Sequence, residues 1–344
     1  MKGNKDFGQL LMVGFWGSSS EDPWIKILSR QIEEGKVGGI IFYGYNIETP
    51  EQVLKLTTHF KSLKAPHPLL IAIDEEGGRV QRLTEHKGFS DVFGAEVVAT
   101  TLNPEEAFGY YLGLAQKVKE FGFNLNFGPV VDVNPMQGQG WIGRLGRSYG
   151  STSESVIPYA RAFLKAHAQM RVLTSLKHFP GHGRAMGDTH GGFVDVTETW
   201  TEEELLPFEA LISDTPFIMT AHVTHKKWGQ ELPVTFSSDL LQGVLREKMR
   251  FSGVIITDDL HMGAVQEVLS PLNVGTEALH AGNDMLMFSN NPSSAQNILE
   301  FRPSPFLVED VLESLQKSDL DSKKIGASIA RILKLKERLT AAPS

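Results

Sequence analysis

The stretch Gly-Val-Ile-Ile-Thr-Asp at residues 253–258 is a short, β-branched apolar run that ends in a carboxylate. A continuous apolar run of this length is typical of a strand buried on both faces, as in parallel sheets. Residues 69–74 form a similar run that ends in Asp74, and residues 173–178 form another that ends in Lys177 and His178. Several strands of one parallel sheet are therefore predicted to carry polar side chains at their carboxyl ends.

Eight such runs are predicted to be strands, and longer amphipathic stretches lie between them. The strands are Leu10–Phe15, Gly39–Tyr43, Leu69–Asp74, Asn124–Val133, Leu173–His178, Phe217–His222, Gly253–Asp258 and Asp284–Phe288. The helices include Pro50–Ser62, Pro104–Phe121, Glu154–Ala168, Glu203–Ile212 and Asp239–Lys248, the last preceded by the capping residues Ser237 and Ser238. This alternation predicts an α/β fold, a single (β/α)8 barrel of the TIM type, with a doubly wound open sheet as the alternative.

The placement of polar residues favours the barrel. The residues predicted at strand carboxyl ends are Asp74, Asp132, Lys177, His178, His222 and Asp258. In a closed barrel these ends meet at one mouth, whereas an open sheet spreads them along an edge. Two further helices, Val308–Gln316 and Ser322–Arg338, are predicted to pack on the barrel. We therefore expect one catalytic domain over residues 1–344, with a barrel core at about 8–290 and C-terminal helices within 303–339.

The composition excludes several classes of function. The 344 residues include 33 Lys and Arg against 41 Asp and Glu, a formal net charge of −8, so no nucleic-acid or anionic-membrane partner is expected. The chain has no cysteine, which rules out disulfides, thiolate metal sites and cysteine nucleophiles. No apolar run approaches the ~18 residues of a membrane span, and no signal-peptide core follows the charged N-terminus. We expect a cytoplasmic monomer.

A glycine-rich loop follows the fifth strand and carries Lys-His-Phe-Pro-Gly-His-Gly at residues 177–183 and Asp-Thr-His at residues 188–190. Five of the twelve residues from Gly181 to Gly192 are glycine, which predicts a mobile loop. Such a loop can act as a lid that brings an acid or base to a substrate. Asp188 and His190 are predicted to form a dyad in which the carboxylate stabilises the imidazolium. The alternative is a polar surface loop without a catalytic role.

Neither a metal nor a nucleotide cofactor is expected. Although His178, His182, Asp188 and His190 are ligand types, metal-dependent barrel hydrolases usually place a His-x-His pair after the first strand. The sequence there is Gly-Phe-Trp-Gly at residues 14–17. Residues 138–143, Gly-Gln-Gly-Trp-Ile-Gly, match the spacing of a dinucleotide-binding loop, but they lie in a turn-rich stretch and open no convincing helix.

Asp258 is the candidate nucleophile. It is the first residue past the apolar run, which places its carboxylate in the barrel mouth. A carboxylate there can attack an anomeric carbon and form a glycosyl-enzyme ester. The alternative is that Asp258 or Asp259 caps the next helix, a role that suits Asp259 better.

Other polar residues near strand ends suit a sugar. Asp74 can accept hydrogen bonds from two hydroxyl groups, and Arg82 donates to oxygen atoms in a fixed geometry. Further donors are Arg144 and Arg147. One of these arginines is expected to be only a surface charge.

Together these segments resemble glycoside hydrolase family 3, and within it the bacterial β-N-acetylglucosaminidases of peptidoglycan recycling. The resemblance runs from residues 8–15, Gly-Gln-Leu-Leu-Met-Val-Gly-Phe, to about Phe288. Its most specific parts are the motif at residues 177–183 with the trailing Asp-Thr-His, and Thr-Asp-Asp-Leu at residues 257–260, where the nucleophile is expected. Many members carry a second domain that supplies the acid/base, whereas this chain has the loop histidine.

The resemblance implies a retaining exo-β-N-acetylglucosaminidase (a β-N-acetylhexosaminidase) that needs no cofactor and releases terminal GlcNAc from peptidoglycan-derived muropeptides. It implies that Asp258 is the nucleophile and that His190 is the acid/base, with Asp188 as its partner. The residues that match the N-acetylglucosamine site are Asp74, Arg82, Arg147, Lys177 and His178. The departures from the family pattern are mild: Glu75 stands where glutamine is common, Thr189 replaces a serine, and His261 replaces a smaller residue.

Two other functions stay open. A substrate-assisted hexosaminidase would use Asp74 to orient the acetamido group and Glu75 as the acid, without a protein nucleophile. A non-catalytic sugar-binding barrel would bind its ligand without turnover. Its sequence would lack catalytic residues, and none of those expected here is missing.

Overall fold

Eight parallel strands close into a barrel in the computed structural model of the protein, which describes residues 6–135, 138–229, 231–270, 273–292 and 301–340. The strands are β1 (Leu11–Gly14), β2 (Gly39–Phe42), β3 (Leu70–Ile73), β4 (Leu125–Asn126), β5 (Leu173–Phe179), β6 (Phe217–Thr220), β7 (Val254–Asp259) and β8 (Met285–Phe288). They pair in sequence order, and β1 also pairs with β8, with Met12 opposite Met287. Because this pairing closes the sheet, the predicted (β/α)8 barrel is confirmed and the open sheet is wrong.

Helices surround the barrel. They are α1 (Pro23–Glu33), α2 (Pro50–Ser62), α3 (Ala95–Thr101), α4 (Pro104–Glu120), α5 (Trp141–Arg144), α6 (Ser153–Gln169), α7 (Leu206–Leu211), a π-helix (Asp239–Lys248), α8 (Gly263–Gln266), α9 (Val274–Ala281), α10 (Leu307–Lys317) and α11 (Ser322–Thr340). Most predicted bounds agree with these within two residues. The exception is Glu203–Ile212, where a 3₁₀ turn (Glu202–Leu205) precedes α7 because Pro207 has no N–H to continue one helix. None of the described helices is both long enough and apolar enough to cross a lipid bilayer.

Side-chain caps fix two of the helix starts. The Asn103 side chain accepts hydrogen bonds from the Glu105 and Glu106 amides at the start of α4, and the Asn103 amide donates in turn to the Glu106 carboxylate, 2.8 Å away. Before the π-helix, Ser237 Oγ accepts from the Leu240 amide at 3.2 Å. The capping oxygen predicted for this segment therefore comes from Ser237.

The strands are buried on both faces, as their apolar sequences predict. Every residue of β1, β2 and β3 is buried. Between the barrel and α2, the rings of Phe15 and Phe42 meet edge to face at 4.9 Å, and Phe42 meets Phe123 at 5.1 Å. Phe60 of α2 contacts Phe15 at 5.4 Å. Aromatic packing of this kind joins neighbouring βα units into one core.

Strand β4 is much shorter than the predicted Asn124–Val133. The Asn126 side chain replaces the next ladder bonds, since its amide group accepts from the Glu75 amide and donates to the Glu75 carbonyl, both at 3.0 Å. Pro129 follows and has no N–H to donate. Beyond β4 the backbone still makes single hydrogen bonds to β5: the Ser175 amide donates to the Gly128 carbonyl, and the Val131 amide donates to the Lys177 carbonyl, both at 2.9 Å.

Helix α11 is tied to the amino-terminal end of the barrel by a buried lysine. Lys336 is 1% exposed, and its Nζ donates to Gln9 Oε1 and to the Gly38 carbonyl, both at 2.6 Å. No carboxylate is among these partners. Burial therefore lowers the pKa of the Lys336 ammonium from 10.5 to about 7.

We expect the stability of the protein to rise with pH because of Lys336. Between pH 7 and about 10.4 the unfolded chain binds a proton that the folded chain does not, so the free energy of unfolding should increase by about 1.4 kcal/mol per pH unit. Lys336→Met should lack this increase, which urea unfolding of both proteins at pH 7, 8.5 and 10 would show. Lys334→Met removes an exposed lysine of the same helix and should keep the wild-type slope. Parallel profiles for wild type and Lys336→Met would contradict the prediction.

Candidate active site

A cavity of about 430 Å³ lies at the carboxyl end of the barrel. All eight residues that the sequence predicts as catalytic or sugar-binding line this cavity, namely Asp74, Arg82, Arg147, Lys177, His178, Asp188, His190 and Asp258. They come from four of the eight strands and the connections that follow them, β3, β4, β5 and β7, which the barrel brings together. Their proximity is therefore a property of the fold, whereas their chemical roles stay predictions.

A charge cluster forms one side of the cavity. Lys177 Nζ lies 2.9 Å from Asp74 Oδ1 and 2.6 Å from Glu76 Oε1, and Arg147 donates two hydrogen bonds of 2.8 Å to the Glu76 carboxylate. Arg82 Nη2 lies 3.7 Å from Asp74 Oδ2. Burial alone would raise the pKa of Glu76, but the Arg147 and Lys177 charges hold it far below its usual range. Glu76 is thus a permanent anion that fixes two cations at the cavity.

Sequence reasoning missed Glu76 as a site residue. The signal was available, because side chains two residues apart in an extended segment point to the same side, and Glu76 stands two residues after Asp74. The intervening Glu75 should then point away from the cavity.

Glu75 does lie outside the cavity, which argues against its proposed role as an acid. Its side chain is fully buried and pairs with Lys117 Nζ at 2.8 Å. It also accepts hydrogen bonds from the amides of Arg82 and Leu83, at 2.8 and 3.1 Å. Burial raises the pKa of Glu75, against the opposing charge of Lys117. Glu75 therefore anchors the segment that carries Arg82.

Asp132 orients the histidine that follows Lys177. Its carboxylate accepts from the His178 amide at 3.0 Å, from His178 Nδ1 at 2.7 Å and from the His182 amide at 2.9 Å. The other ring nitrogen of His178, Nε2, lies 3.4 Å from Arg147 Nη2. Asp132 was predicted only as a strand-end residue. Its hydrogen bonds show that it lies behind the cavity wall and orients His178.

Two other histidines occupy different environments. His182 lines the cavity, and burial together with the nearby His178 lowers its pKa to about 4. His222 was predicted near the mouth, but it does not line the cavity. Its Nδ1 lies 2.9 Å from Thr235 Oγ1 and its Nε2 lies 3.1 Å from the Asp259 carbonyl, so both ring nitrogens have partners.

The two aspartates at the end of β7 differ in their contacts. Asp258 lines the cavity and accepts from the Asp259 amide at 2.8 Å. Burial would raise the pKa of Asp258, but the charges of His178, His222 and His190 lower it below its ordinary value. Asp259 Oδ1 instead accepts from the backbone amides of His261 and Ser289, at 3.1 and 2.9 Å. The start of the next helix, α8, has no side-chain cap, so neither aspartate has the capping role considered as the alternative, and Asp259 binds backbone outside that helix.

Asp188 and His190 form the predicted dyad. His190 Nδ1 lies 2.8 Å from Asp188 Oδ1, which also accepts from the His190 amide at 3.0 Å. Burial lowers the pKa of His190, but the hydrogen bond and charge of Asp188, helped by the charge of Asp258, raise it above its ordinary value. The imidazole is half exposed, which leaves Nε2 free to face a ligand.

The loop that carries His190 rests on the segment after the candidate nucleophile. The amides of Gly263 and Ala264 donate to the carbonyls of His190 and Thr189, at 3.2 and 3.1 Å. The Phe193 amide donates to Glu267 Oε2 at 2.9 Å. These bonds join the loop to the chain that follows β7, so the candidate acid/base and nucleophile share one structural unit.

Within the described part of the chain, no group of three or more histidine and carboxylate side chains is arranged to hold a metal ion.

The chain matches the family model described as the glycosyl hydrolase family 3 N terminal domain over residues 4–335. It belongs to glycosyl hydrolase family 3. A protein named beta-hexosaminidase from Alkalilimnicola ehrlichii is 33% identical over 314 residues, which cover 88% of this chain and 86% of the relative. Beta-hexosaminidase A from Pseudoalteromonas piscicida is 29% identical over 334 residues, 91% of this chain.

Solved structures of the family have the same barrel. A family 3 beta-N-acetylglucosaminidase from Paenibacillus sp. str. FPU-7 superposes with a TM-score of 0.86 at 30% identity over 100% of this chain. A beta-N-acetylhexosaminidase from Beutenbergia cavernae gives 0.82 at 27% identity and covers 96% of this chain and 97% of its own. This chain spans only 55% of the length of the Pseudoalteromonas protein and 64% of the length of the Paenibacillus protein.

We expect Glu75→Gln to destabilise the fold. It removes the carboxylate from the buried Lys117 ammonium, and breaking a buried pair in this way costs about 3–5 kcal/mol. Urea unfolding at pH 7 measures the change, and Glu85→Gln, at an exposed position of the same connection, should leave the free energy of unfolding within about 0.5 kcal/mol. Wild-type stability of Glu75→Gln would mean that the ion pair does not anchor this segment.

Proposed function

We propose that the protein is a retaining exo-β-N-acetylglucosaminidase that releases terminal GlcNAc from peptidoglycan-derived muropeptides. The observation that carries the proposal is that Asp258 and the Asp188–His190 dyad line one cavity, which provides a candidate nucleophile and a separate proton donor. The names of the relatives, beta-hexosaminidase and beta-N-acetylglucosaminidase, support the substrate class.

In the first step, His190 donates a proton to the glycosidic oxygen while Asp258 attacks the anomeric carbon. The carbon–oxygen bond to the leaving group breaks, and an ester between the sugar and Asp258 forms. The lowered pKa of Asp258 keeps it ionised for attack, and the raised pKa of His190 favours the imidazolium that must give up the proton.

In the second step, water attacks the anomeric carbon and neutral His190 takes its proton. The ester bond breaks, Asp258 leaves as a carboxylate, and GlcNAc departs. Asp188 stabilises the imidazolium in both steps, because its carboxylate accepts the Nδ1 proton.

The charge cluster is proposed to bind the GlcNAc ring. Asp74 Oδ2 has Arg82 at 3.7 Å, which leaves room for both to bind sugar hydroxyls. Lys177, Arg147 and His178 supply further polar atoms whose positions Glu76 and Asp132 fix. Fixed donors of this kind bind a polar ligand without reorganisation.

Replacing Asp258 should abolish turnover. Asp258→Asn is expected to lower kcat for a chromogenic β-N-acetylglucosaminide at least ~10³-fold, because no other carboxylate replaces the attacking group. In the wild type, a slow fluorinated glycosyl donor should add one sugar mass to the peptide that contains Asp258. Substrate-assisted chemistry predicts the reverse: Asp258→Asn stays active, no peptide is labelled, and Asp74→Asn loses activity. A sugar-binding barrel without catalysis predicts binding and no turnover by the wild type.

Asp188→Asn should shift the alkaline limb of the pH profile of kcat/KM to lower pH. Protonated His190 is needed for the first step, and removing the carboxylate that raises its pKa lets it lose its proton sooner. The rate above that limb is expected to fall about 10- to 100-fold, while the acidic limb stays in place. The control is Asp195→Asn, which changes an exposed carboxylate just beyond the loop that binds Thr197 rather than a histidine. An unshifted alkaline limb in Asp188→Asn would refute the dyad.

A further inference from the structure

Trp141 lies on the cavity wall next to the loop that carries His190. Its ring lines the cavity, and its backbone amide donates to the Ala185 carbonyl at 2.8 Å, five residues before His190 in the same loop. In the proposed function, which this inference rests on, His190 protonates the oxygen of the leaving group. The aglycone must therefore lie on the His190 side of the cavity, where Trp141 is.

Arg144 stands beside this indole ring without a carboxylate partner. Its guanidinium carbon is 5.1 Å from the centre of the Trp141 ring, a cation–π contact. Both residues belong to α5, three positions apart, so they share one face of a single turn. Arg144 is exposed, and among the described residues no carboxylate lies within 4.0 Å of its guanidinium. By contrast, Arg147 is occupied by Glu76.

The turn that presents this pair is tightly packed. A Cβ on Gly140 would lie 2.5 Å from the Gly183 carbonyl oxygen, and one on Gly143 would lie 2.3 Å from Asn134 Oδ1. Ile142 between them is buried. The approach at Gly140 holds the start of α5 against the acid/base loop, and the approach at Gly143 holds the same turn against Asn134, so the backbone that carries Trp141 and Arg144 is placed beside the loop of His190 before a ligand binds.

We propose that Trp141 and Arg144 form the aglycone subsite and that, among substrates derived from muropeptides, they favour an aglycone sugar whose carboxylate is free rather than joined to a peptide. The indole face packs on the apolar face of the sugar ring, as aromatic side chains do with flat amphipathic ligands. The guanidinium pairs with the carboxylate in a charge-assisted hydrogen bond. The pair thus distinguishes acidic β-N-acetylglucosaminides from neutral ones such as chitobiose.

The test compares three disaccharides that share GlcNAc: GlcNAc-β-1,4-N-acetylmuramic acid, its methyl ester, and N,N′-diacetylchitobiose. Arg144→Gln should lower kcat/KM about 5- to 10-fold for the acid and less than ~2-fold for the ester and for chitobiose, the range expected for one half-exposed charged hydrogen bond. Trp141→Ala should lower kcat/KM for all three. The control Arg79→Gln removes an exposed arginine of another mouth connection and should change none of them.

N-acetylglucosaminyl fluoride separates this proposal from the function on which it rests. Its leaving group makes no aglycone contact, so wild type, Arg144→Gln and Trp141→Ala should all hydrolyse it at similar rates. The subsite proposal is wrong if the wild type cleaves the fluoride but Arg144→Gln has the same ratio of kcat/KM for acid and ester as the wild type. If the wild type does not cleave the fluoride, the proposed function itself fails. Equal loss on acid and ester in Arg144→Gln would also overturn charge selection.

Discussion

Lys177 is held between two carboxylates, and the arrangement of the barrel mouth depends on this contact. Its ammonium is almost fully buried, with Asp74 and Glu76 at 2.9 and 2.6 Å. An ammonium taken out of water without such partners would be several kcal/mol less favourable, so the ends of β3 and β5 must meet for either to be stable. Arg147 binds the same Glu76 and draws the connection before α6 to this point. One cluster of charges therefore fixes three distant parts of the chain together.

Neighbouring charges also set the ionisation states of the two proposed catalytic groups, Asp258 and His190. Burial by itself would favour a neutral acid at Asp258 and a neutral imidazole at His190, which is the wrong pair of states for the first step. The charges of His178 and His190 oppose burial at Asp258, and those of Asp188 and Asp258 oppose it at His190. Each group thus stabilises the charged form of the other. The loop contacts that hold His190 near β7 therefore influence the pKa values of both groups as well as their positions.

The fold and most of the site were accessible from the sequence because both follow from periodicity. Buried strands appear as continuous apolar runs, and in a parallel barrel every carboxyl end lies at one mouth, so the positions of Asp74, His178 and Asp258 follow from strand bounds alone. The predictions that failed concern places where a side chain makes the hydrogen bonds that a backbone group would otherwise make. The length of β4 is set by the amide group of Asn126, which no propensity describes. The support given by Asp132 likewise depends on three amide and imidazole donors that meet only in the folded chain.

The glycines at residues 138–143 show why a spacing alone does not identify a site. In a nucleotide-binding loop such glycines let the backbone approach a phosphate. Here Gly140 and Gly143 let it approach other protein atoms, the Gly183 carbonyl and the Asn134 side chain. The physical requirement, space too small for a Cβ, is the same in both cases. What differs is the neighbour, which is the loop of the candidate acid/base for Gly140 and the Asn134 side chain for Gly143. A motif of glycines therefore indicates close approach, and only the fold identifies what is approached.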